Sequence, residues 1–363
     1  MKTRLLPLLL ALLAGAPAEA APRVSLLKAC ATPKGIVFQG GGYGGISGID
    51  HDPRSGLWAF ISDDKSERGP SHAFLGRLDV RPGAPCGPML QTMIPLRRED
   101  GVTFPDRKAG TEAADGEAIR FDPKSEDLLW ATEGDFEHGD PPAIRRMGRD
   151  GRPTARLVAP DGLRFEPGGR TGARKNATFE GMSWSADGQS LWVSMEGPLV
   201  QDGPIPSVAE GGLVRLSRLD GSGRLLAQYA YRIDPVQAGS PVGVGDNGVS
   251  EILVLDAQRL LVLERSGIKG GDGRYAYHVR LYLADLSRAE DVSRRPSLAE
   301  GPVRAVHKRL LLNFDRLGIR IDNLEAMAWG PRQKDGARTL VLASDDNHDA
   351  SQINQILVLS VRP

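Results

Sequence analysis

Acidic residues recur in this chain in pairs that straddle a turn, and paired carboxylates can hold a cation or move a proton. Ser47 and Asp63, Glu117 and Glu133, and Glu180 and Glu196 each stand 16 residues apart. Glu251 and Glu264 stand 13 apart, and Glu325 and Asp345 stand 20 apart around the polar insertion Arg332 to Arg338. The turns between them read Asp52-Pro53-Arg54-Ser55-Gly56 or Ala186-Asp187-Gly188, residues that supply the backbone angles of a hairpin. Symmetry about the turn sets each pair at the open end of its hairpin, with Cβ atoms about 5 Å apart where directly opposed. Asp64, Asp135 and Asp346 follow closely on these positions.

Carboxylates crowded into a partly desolvated mouth need counter-charge. Hard cations bound through oxygen supply it, and Ca²⁺ accepts many carboxylates in irregular geometry. The few scattered histidines (His51, His72, His138, His278, His307 and His348) and the lack of a thiolate cluster argue against zinc. Lys65 and Arg265 directly follow acids of the set, and Arg174-Lys175 enters the strand of Glu180. Calcium with Lys and Arg beside it makes an anion-receptive site for a phosphate or a carboxylate. The expected metal-holding residues are Asp63, Asp64, Glu117, Glu133, Asp135, Glu180, Glu196, Glu251, Glu264, Glu325, Asp345 and Asp346. Those expected to act in catalysis are Glu180, Glu251, Arg265, Lys65 and Lys175. The competing view of each acid is structural: it hydrogen-bonds backbone N–H groups of a neighbouring unit.

The elements that must position these residues are copies of one hairpin. Gly-Ile-Ser-Gly-Ile-Asp at 45–50 with Trp-Ala-Phe-Ile-Ser-Asp-Asp at 58–64 is the first. Asp-Gly-Glu-Ala-Ile-Arg-Phe-Asp at 115–122 with Leu-Trp-Ala-Thr-Glu-Gly-Asp at 129–135 is the second. The others begin at Phe179, Gly248 and Asp322, and anchoring on Ser47, Glu117, Glu180, Glu251 and Glu325 gives steps of 70, 63, 71 and 74 residues. Each step leaves room for two more strands, such as about 143–149 and about 153–159 around Asp150-Gly151. Four antiparallel strands per unit, repeated around an axis, predict an all-β protein, a β-propeller of five blades. A sixth blade that has lost the signature and a β-sandwich with chance repetition are the competing architectures. The last unit has one further strand, Asn354 to Val361, and Val24 to Phe38 can fill its outermost place and close the ring. Innermost strands run along the central channel, so all five open ends would meet at one mouth.

Lys2 and Arg4, the apolar run Leu5 to Leu13 and Ala18-Glu19-Ala20 form a secretory signal cleaved after Ala20. The expected organisation is thus a signal peptide over 1–20 and one propeller domain over 21–363, periplasmic or extracellular. Forty-six basic residues balance forty-six acidic ones, so no global field recruits nucleic acid or an anionic membrane. No later segment is long and apolar enough to span a bilayer. Cys30 and Cys86 are an expected structural disulfide in that compartment. Gly40 to Gly45 lacks the lysine of a phosphate loop. Ser47, Ser183 and Ser250 lack a nucleophile-elbow context.

Gly44-Gly45-Ile46-Ser47-Gly48, Asp115-Gly116-Glu117-Ala118-Ile119, Phe179-Glu180-Gly181, Met195-Glu196-Gly197-Pro198, Ser250-Glu251-Ile252 and Asp322-Asn323-Leu324-Glu325-Ala326-Met327 resemble the phytase-like family described by an esterase-like activity of phytase. Ile61-Ser62-Asp63-Asp64 and Ser344-Asp345-Asp346-Asn347 extend the resemblance over about residues 40 to 360. It implies ester or phosphate-ester hydrolysis by analogy with calcium-dependent propeller phytases, with a small anionic or ester substrate. Ser47 departs from the Glu of the other units. Two alternatives remain: a non-catalytic binding propeller with structural acids, and a lactonase-like propeller with one central calcium and Asn247, Asn323 or Asn347 at the metal.

Overall fold

Short runs of β-branched, aromatic and aliphatic residues between turn residues make this chain fold as strands. The computed structural model describes residues 21–109, 112–137, 140–157, 159–165, 168–237 and 244–363. The expected signal over 1–20, and His138, lie outside the described residues. An N-terminal strand β1 (Arg23–Thr32) and a small ribbon, β2 (Val37–Phe38) with β3 (Gly41–Gly42), precede the first blade. Blade 1 is β4 (Ile46–Asp52), β5 (Leu57–Ser62), β6 (His72–Arg77) and β7 (Met89–Pro95). Blade 2 is β8 (Gly116–Phe121), β9 (Leu128–Thr132), β10 (Ala143–Met147) and β11 (Pro153–Leu157). Blade 3 is β12 (Phe179–Trp184), β13 (Leu191–Met195), β14 (Gly212–Leu219) and β15 (Leu225–Ile233). Blade 4 is β16 (Val244–Val254), β17 (Arg259–Lys269), β18 (Tyr275–Asp285) and β19 (His307–Asn313). Blade 5 is β20 (Asn323–Trp329), β21 (Arg338–Asp345) and β22 (Asn354–Arg362), completed on the outside by β1. This is the five-bladed propeller that the repeat predicts.

The expected ring closure holds. β1 pairs antiparallel with β22 from Arg23 opposite Arg362 to Thr32 opposite Asn354. Cys30 and Cys86 form a disulfide across 56 residues of chain, fastening that closing strand to the β6–β7 loop of blade 1. Each junction between neighbouring blades carries its own apolar cluster. Phe60 and Val341 pack between blades 1 and 5, Ile61 and Trp130 between blades 1 and 2, and Leu129 and Met182 between blades 2 and 3. Val214 with Val262, and Leu263 with Met327, complete the circuit. Among the described residues, no helix is long and apolar enough to cross a membrane.

The innermost strands β4, β8, β12, β16 and β20 neighbour one another around the axis, and every one of them carries a bulge near its start. The extra residue is Ser47 in β4, Glu117 in β8, Glu180 in β12, Ser250 in β16 and Glu325 in β20. A bulge adds one residue against a single partner and re-aims its side chain. The fourth repeat must therefore be anchored on Ser250, not Glu251. The same shift replaces Glu264 by Arg265 at the matching position on the second strand. Arg265 sits opposite Gly248 as Asp345 sits opposite Asn323.

Candidate metal centre

The five bulges turn their residues toward one mouth of the channel, where the hairpin ends add a second set. Asp63, Glu133 and Glu196 lie immediately beyond β5, β9 and β13, each held by its own N–H donating to the carbonyl of Gly45, Asp115 or Thr178 across the hairpin. Carboxylate oxygens of Asp115, Glu117 and Glu133 come within 4.8 Å of one another, and so do those of Glu133, Glu180 and Glu196. Glu133 belongs to both groups. Two basic side chains flank this cup: Lys65 Nζ lies 2.5 Å from Asp115, and Arg265 lies 3.0 Å from Glu196, 3.1 Å from Glu325 and 3.2 Å from Asp246.

Burial dominates the electrostatics, because a carboxylate moved out of water favours its neutral form. Burial, with Asp115 and Glu133 next, holds Glu117 well above the ordinary carboxylate range. Burial, with Glu117 and Glu196 next, does the same to Glu180. Burial and then Asp115 push Glu133 up to about 7. Glu196 is pushed up to about 8 by burial, against the pull of Arg265. Asp63 and Asp345 are raised well above their range by burial and by each other's neighbourhood of acids. Burial opposes the charge of Lys65, but Asp115, Glu117 and Glu133 outweigh it and raise its pKa.

Beside the cup, on the blade 1 and blade 5 side, several polar atoms are buried without a hydrogen-bond partner. They are Ser47 Oγ, Asp63 Oδ1, Asn323 Oδ1 and His348 Nε2. Asn323 donates to Glu325 at 2.9 Å and to Asp345 at 3.3 Å, which leaves its carbonyl oxygen free. His348 Nε2 stands 3.8 Å from Asp63 Oδ1. Asn347 and His348 both adopt positive φ, 46° and 49°, and that left-handed turn folds the imidazole over Gly44 and Gly45. A Cβ on Gly45 would stand 2.1 Å from Asp63 Oδ1 and 2.6 Å from His348 Nε2, so glycine is required there.

A family model described as "Phytase-like: Esterase-like activity of phytase" matches residues 41–348. The chain belongs to the phytase-like family. No curated protein matches it. Solved structures similar to this phytase-like propeller include the α-L-arabinofuranosidase PaAbf62A from Podospora anserina, at 12% identity and TM-score 0.40, covering 94% of this chain and 96% of that one. A glucose dehydrogenase matches at 12% identity and TM-score 0.41 over 94% and 100%. A putative 6-phosphogluconolactonase from Bacteroides uniformis matches at 10% identity and TM-score 0.33 over 85% and 83%. Likeness at this level carries no argument about activity.

The phytase-like propeller brings together Glu117, Glu133, Glu180 and Glu196, with Glu325 joined through Arg265 and with Asp63 and Asp345 alongside. Other expected residues are engaged elsewhere or stand at the edge of the cup, where Asp135 and Lys175 line a cleft with Lys65, Asp115 and Glu133. Glu251 follows its bulge by one residue and faces the other way. It lies 2.5 Å from the Arg120 guanidinium, with both side chains 2% exposed or less, and accepts from Met182 N and Ile252 N. Glu264 accepts from Tyr231 Oη, Asp234 N and Lys308 Nζ. Asp64, Asp135 and Asp346 accept loop N–H groups of Glu67, Glu137 and Gly45. Lys175 is half exposed at the rim and pairs with Glu137. Of the asparagines, Asn247 bonds Asp234 O and Ser266 Oγ, and Asn347 bonds Gln352. Two residues escaped the sequence reading. Asp115 shares the face of Glu117 through two-residue alternation, but its counterparts Gly45, Thr178, Gly248 and Asn323 are not acids. His348 follows an acidic strand end and has no repeat counterpart.

Proposed function

We propose that this propeller is an exported, cation-dependent ester hydrolase acting on phosphate esters at the acid cup. The observation that carries the reading is Glu133, buried and shared between two groups of three carboxylates whose oxygens converge within 4.8 Å. Such crowding fits a hard cation: the donor set is all oxygen, and the unpartnered buried Asp63 Oδ1, Ser47 Oγ and Asn323 Oδ1 are further oxygen donors. Asp115, Glu117, Glu133, Glu180 and Glu196 would hold calcium. Bound there, calcium would lower the pKa of water and polarise a phosphoryl or carbonyl oxygen.

The chain's own residues do the rest. Arg265 and Lys65 place positive charge at the edge of the cup, where a guanidinium and an ammonium offset charge on phosphoryl oxygens. Export is supported by the signal-type first 20 residues and by the Cys30–Cys86 disulfide, which persists in an oxidising compartment.

The test is calcium titration by calorimetry on the mature protein, with turnover of 4-nitrophenyl phosphate and 4-nitrophenyl acetate in the same buffer. Saturable binding and calcium-dependent phosphate release are expected, and Glu133→Gln should weaken binding by at least about tenfold. If Glu133→Gln keeps both affinity and turnover, the reading is wrong. Stability unchanged in chelator, with no turnover of either ester, would favour a non-catalytic binding propeller. A lactonase-like reading has one observation behind it, the buried free carbonyl of Asn323. It requires turnover of a lactone, loss on Asn323→Ala, and phosphate esters left intact.

A further inference from the structure

Blade 4 is built longer than its neighbours. Its three inner strands β16, β17 and β18 each run 11 residues, where β4, β8, β12 and β20 run 6 or 7. The excess lies on the side of the mouth. Pairing continues past Arg265, with Gly267 opposite Tyr277 and Lys269 opposite Tyr275. At about 3.3 Å per residue the ladder rises about 13 Å above the level of Arg265 before it turns at Gly270. The hairpin thus stands as a wall beside the acid cup.

The side chains on that wall form a series. Alternation puts Arg265, Gly267 and Lys269 on one face of β17, and their partners Val279, Tyr277 and Tyr275 on the same face of β18. Arg265 is the residue bound to Glu196 and Glu325 in the cup. Next above it, Gly267 leaves space for the Tyr277 ring. A Cβ there would lie 3.3 Å from Tyr277 Cε1 and 3.4 Å from Arg265 Nη1. The Tyr277 hydroxyl accepts from Gln352 Nε2 at 3.1 Å, and Gln352 Oε1 accepts from Asn347 Nδ2 at 2.9 Å, which ties the wall to the loop carrying His348. Tyr275 stacks on Tyr277 with ring centroids 5.9 Å apart and planes 14° apart. Lys269 Nζ lies 5.6 Å from the Tyr275 ring centre, and Tyr275 remains 46% exposed.

We propose that this wall is the substrate's second foothold: Tyr275, on Tyr277, takes the face of a ring in the ester's non-reacting part, with Lys269 beside it. The inference rests on the hydrolase reading and narrows it to esters whose alcohol carries an aromatic or sugar ring. A pinned Tyr277 beneath an exposed Tyr275 gives a rigid aromatic face, and such faces stack flat partners. Lys269, 5.6 Å from the Tyr275 ring centre, adds a positive charge at that face and suits a ring that carries negative charge.

The experiment compares 4-nitrophenyl phosphate, glucose 1-phosphate and ethyl phosphate. Binding is read by calorimetry and KM by phosphate release, on the wild type and on Tyr275→Ala and Tyr275→Phe. Tyr275 is exposed, so both variants should fold as the parent does. At least one ring-bearing ligand should bind about tenfold more tightly than ethyl phosphate, and which one does separates aryl from sugar rings. Tyr275→Ala should erase that preference through KM, with kcat and ethyl phosphate binding unchanged, and Tyr275→Phe should keep it. Equal binding of ring and chain esters, or a preference that survives Tyr275→Ala, overturns the proposal. Ring-selective binding without turnover of any ester would sink the hydrolase reading and leave the wall standing.

Discussion

Each acid of the cup is held in conflict with its surroundings, and that conflict has a measurable pH signature. Glu133 and Glu196 keep their protons up to about 7 and about 8 in the folded state, against 4.5 for an ordinary glutamate. Burial and the neighbouring acids hold Glu117 and Glu180 well above that ordinary value too. In the unfolded chain all of them ionise near 4.5, so above that pH the folded state binds more protons and loses stability as pH rises. Half-buried His51 and His348, whose pKa values burial lowers from 6.5, act in the opposite sense, but only below that value. The window from pH 6.5 to 8.5 therefore isolates the carboxylates. In chelator, stability should fall across it by at least about 2 kcal/mol, the share of Glu133 and Glu196 alone, and calcium added at pH 8.5 should restore it. Urea midpoints at the two pH values read this directly. A midpoint that rises toward pH 8.5 without calcium would contradict the electrostatics of the cup.

At the scale of the strand, the bulge decides what the cup contains. Alternation along the strand means that a slip of one residue sends a side chain to the other face. Three hairpins kept the 16-residue spacing, so Asp63, Glu133 and Glu196 were legible beside Ser47, Glu117 and Glu180. In blade 4 the bulge falls on Ser250, and acids happen to occupy the next position, Glu251, and the one before Arg265. Periodicity in sequence cannot reveal which of two adjacent residues is the extra one. The residue after the bulge is Gly48, Ala118, Gly181 or Ala326 in the other blades, and the close approach of the next inner strand explains the small size. A Cβ on Gly181 would stand 2.5 Å from Ser194 Oγ and 2.6 Å from Ile252 N, the second being backbone of β16. Gly181→Ala should thus cost about 1–3 kcal/mol. Gly42, with nothing within 4 Å of such a Cβ, serves as the control and should tolerate alanine. Equal urea midpoints for the two variants would mean that the inner strands have room to separate.

Across the whole molecule, one ion pair reaches every blade, and it is built from the acid that the sequence assigned to chemistry. Arg120 of blade 2 donates to the carbonyl of Ile49 in blade 1 at 2.8 Å and to that of Ile119 in its own strand at 2.6 Å. It meets Glu251 of blade 4 at 2.5 Å and reaches Met327 O of blade 5 at 3.4 Å. Glu251 in turn accepts from Met182 N of blade 3 at 2.9 Å. Disulfide and closing strand hold the ring from outside, and this pair crosses the channel from within. Burial pushes Glu251 up to about 7 against the pull of Arg120 and of the Ile252 and Met182 N–H groups, so its charge depends on those partners. Removing one partner leaves a buried guanidinium without its counter-ion, and Glu251→Leu should lose about 3–5 kcal/mol. The double variant Arg120→Met/Glu251→Leu removes the stranded charge and should regain a large part of that loss. Calcium affinity should change by less than about twofold in the double variant, because the Glu251 carboxylate is taken up by Arg120 and two backbone N–H groups and is not among the converging oxygens of the cup. Urea midpoints with parallel calcium titrations separate the two roles. If Glu251→Leu abolishes calcium binding while leaving the midpoint where it was, Glu251 is a ligand after all and the pin is incidental.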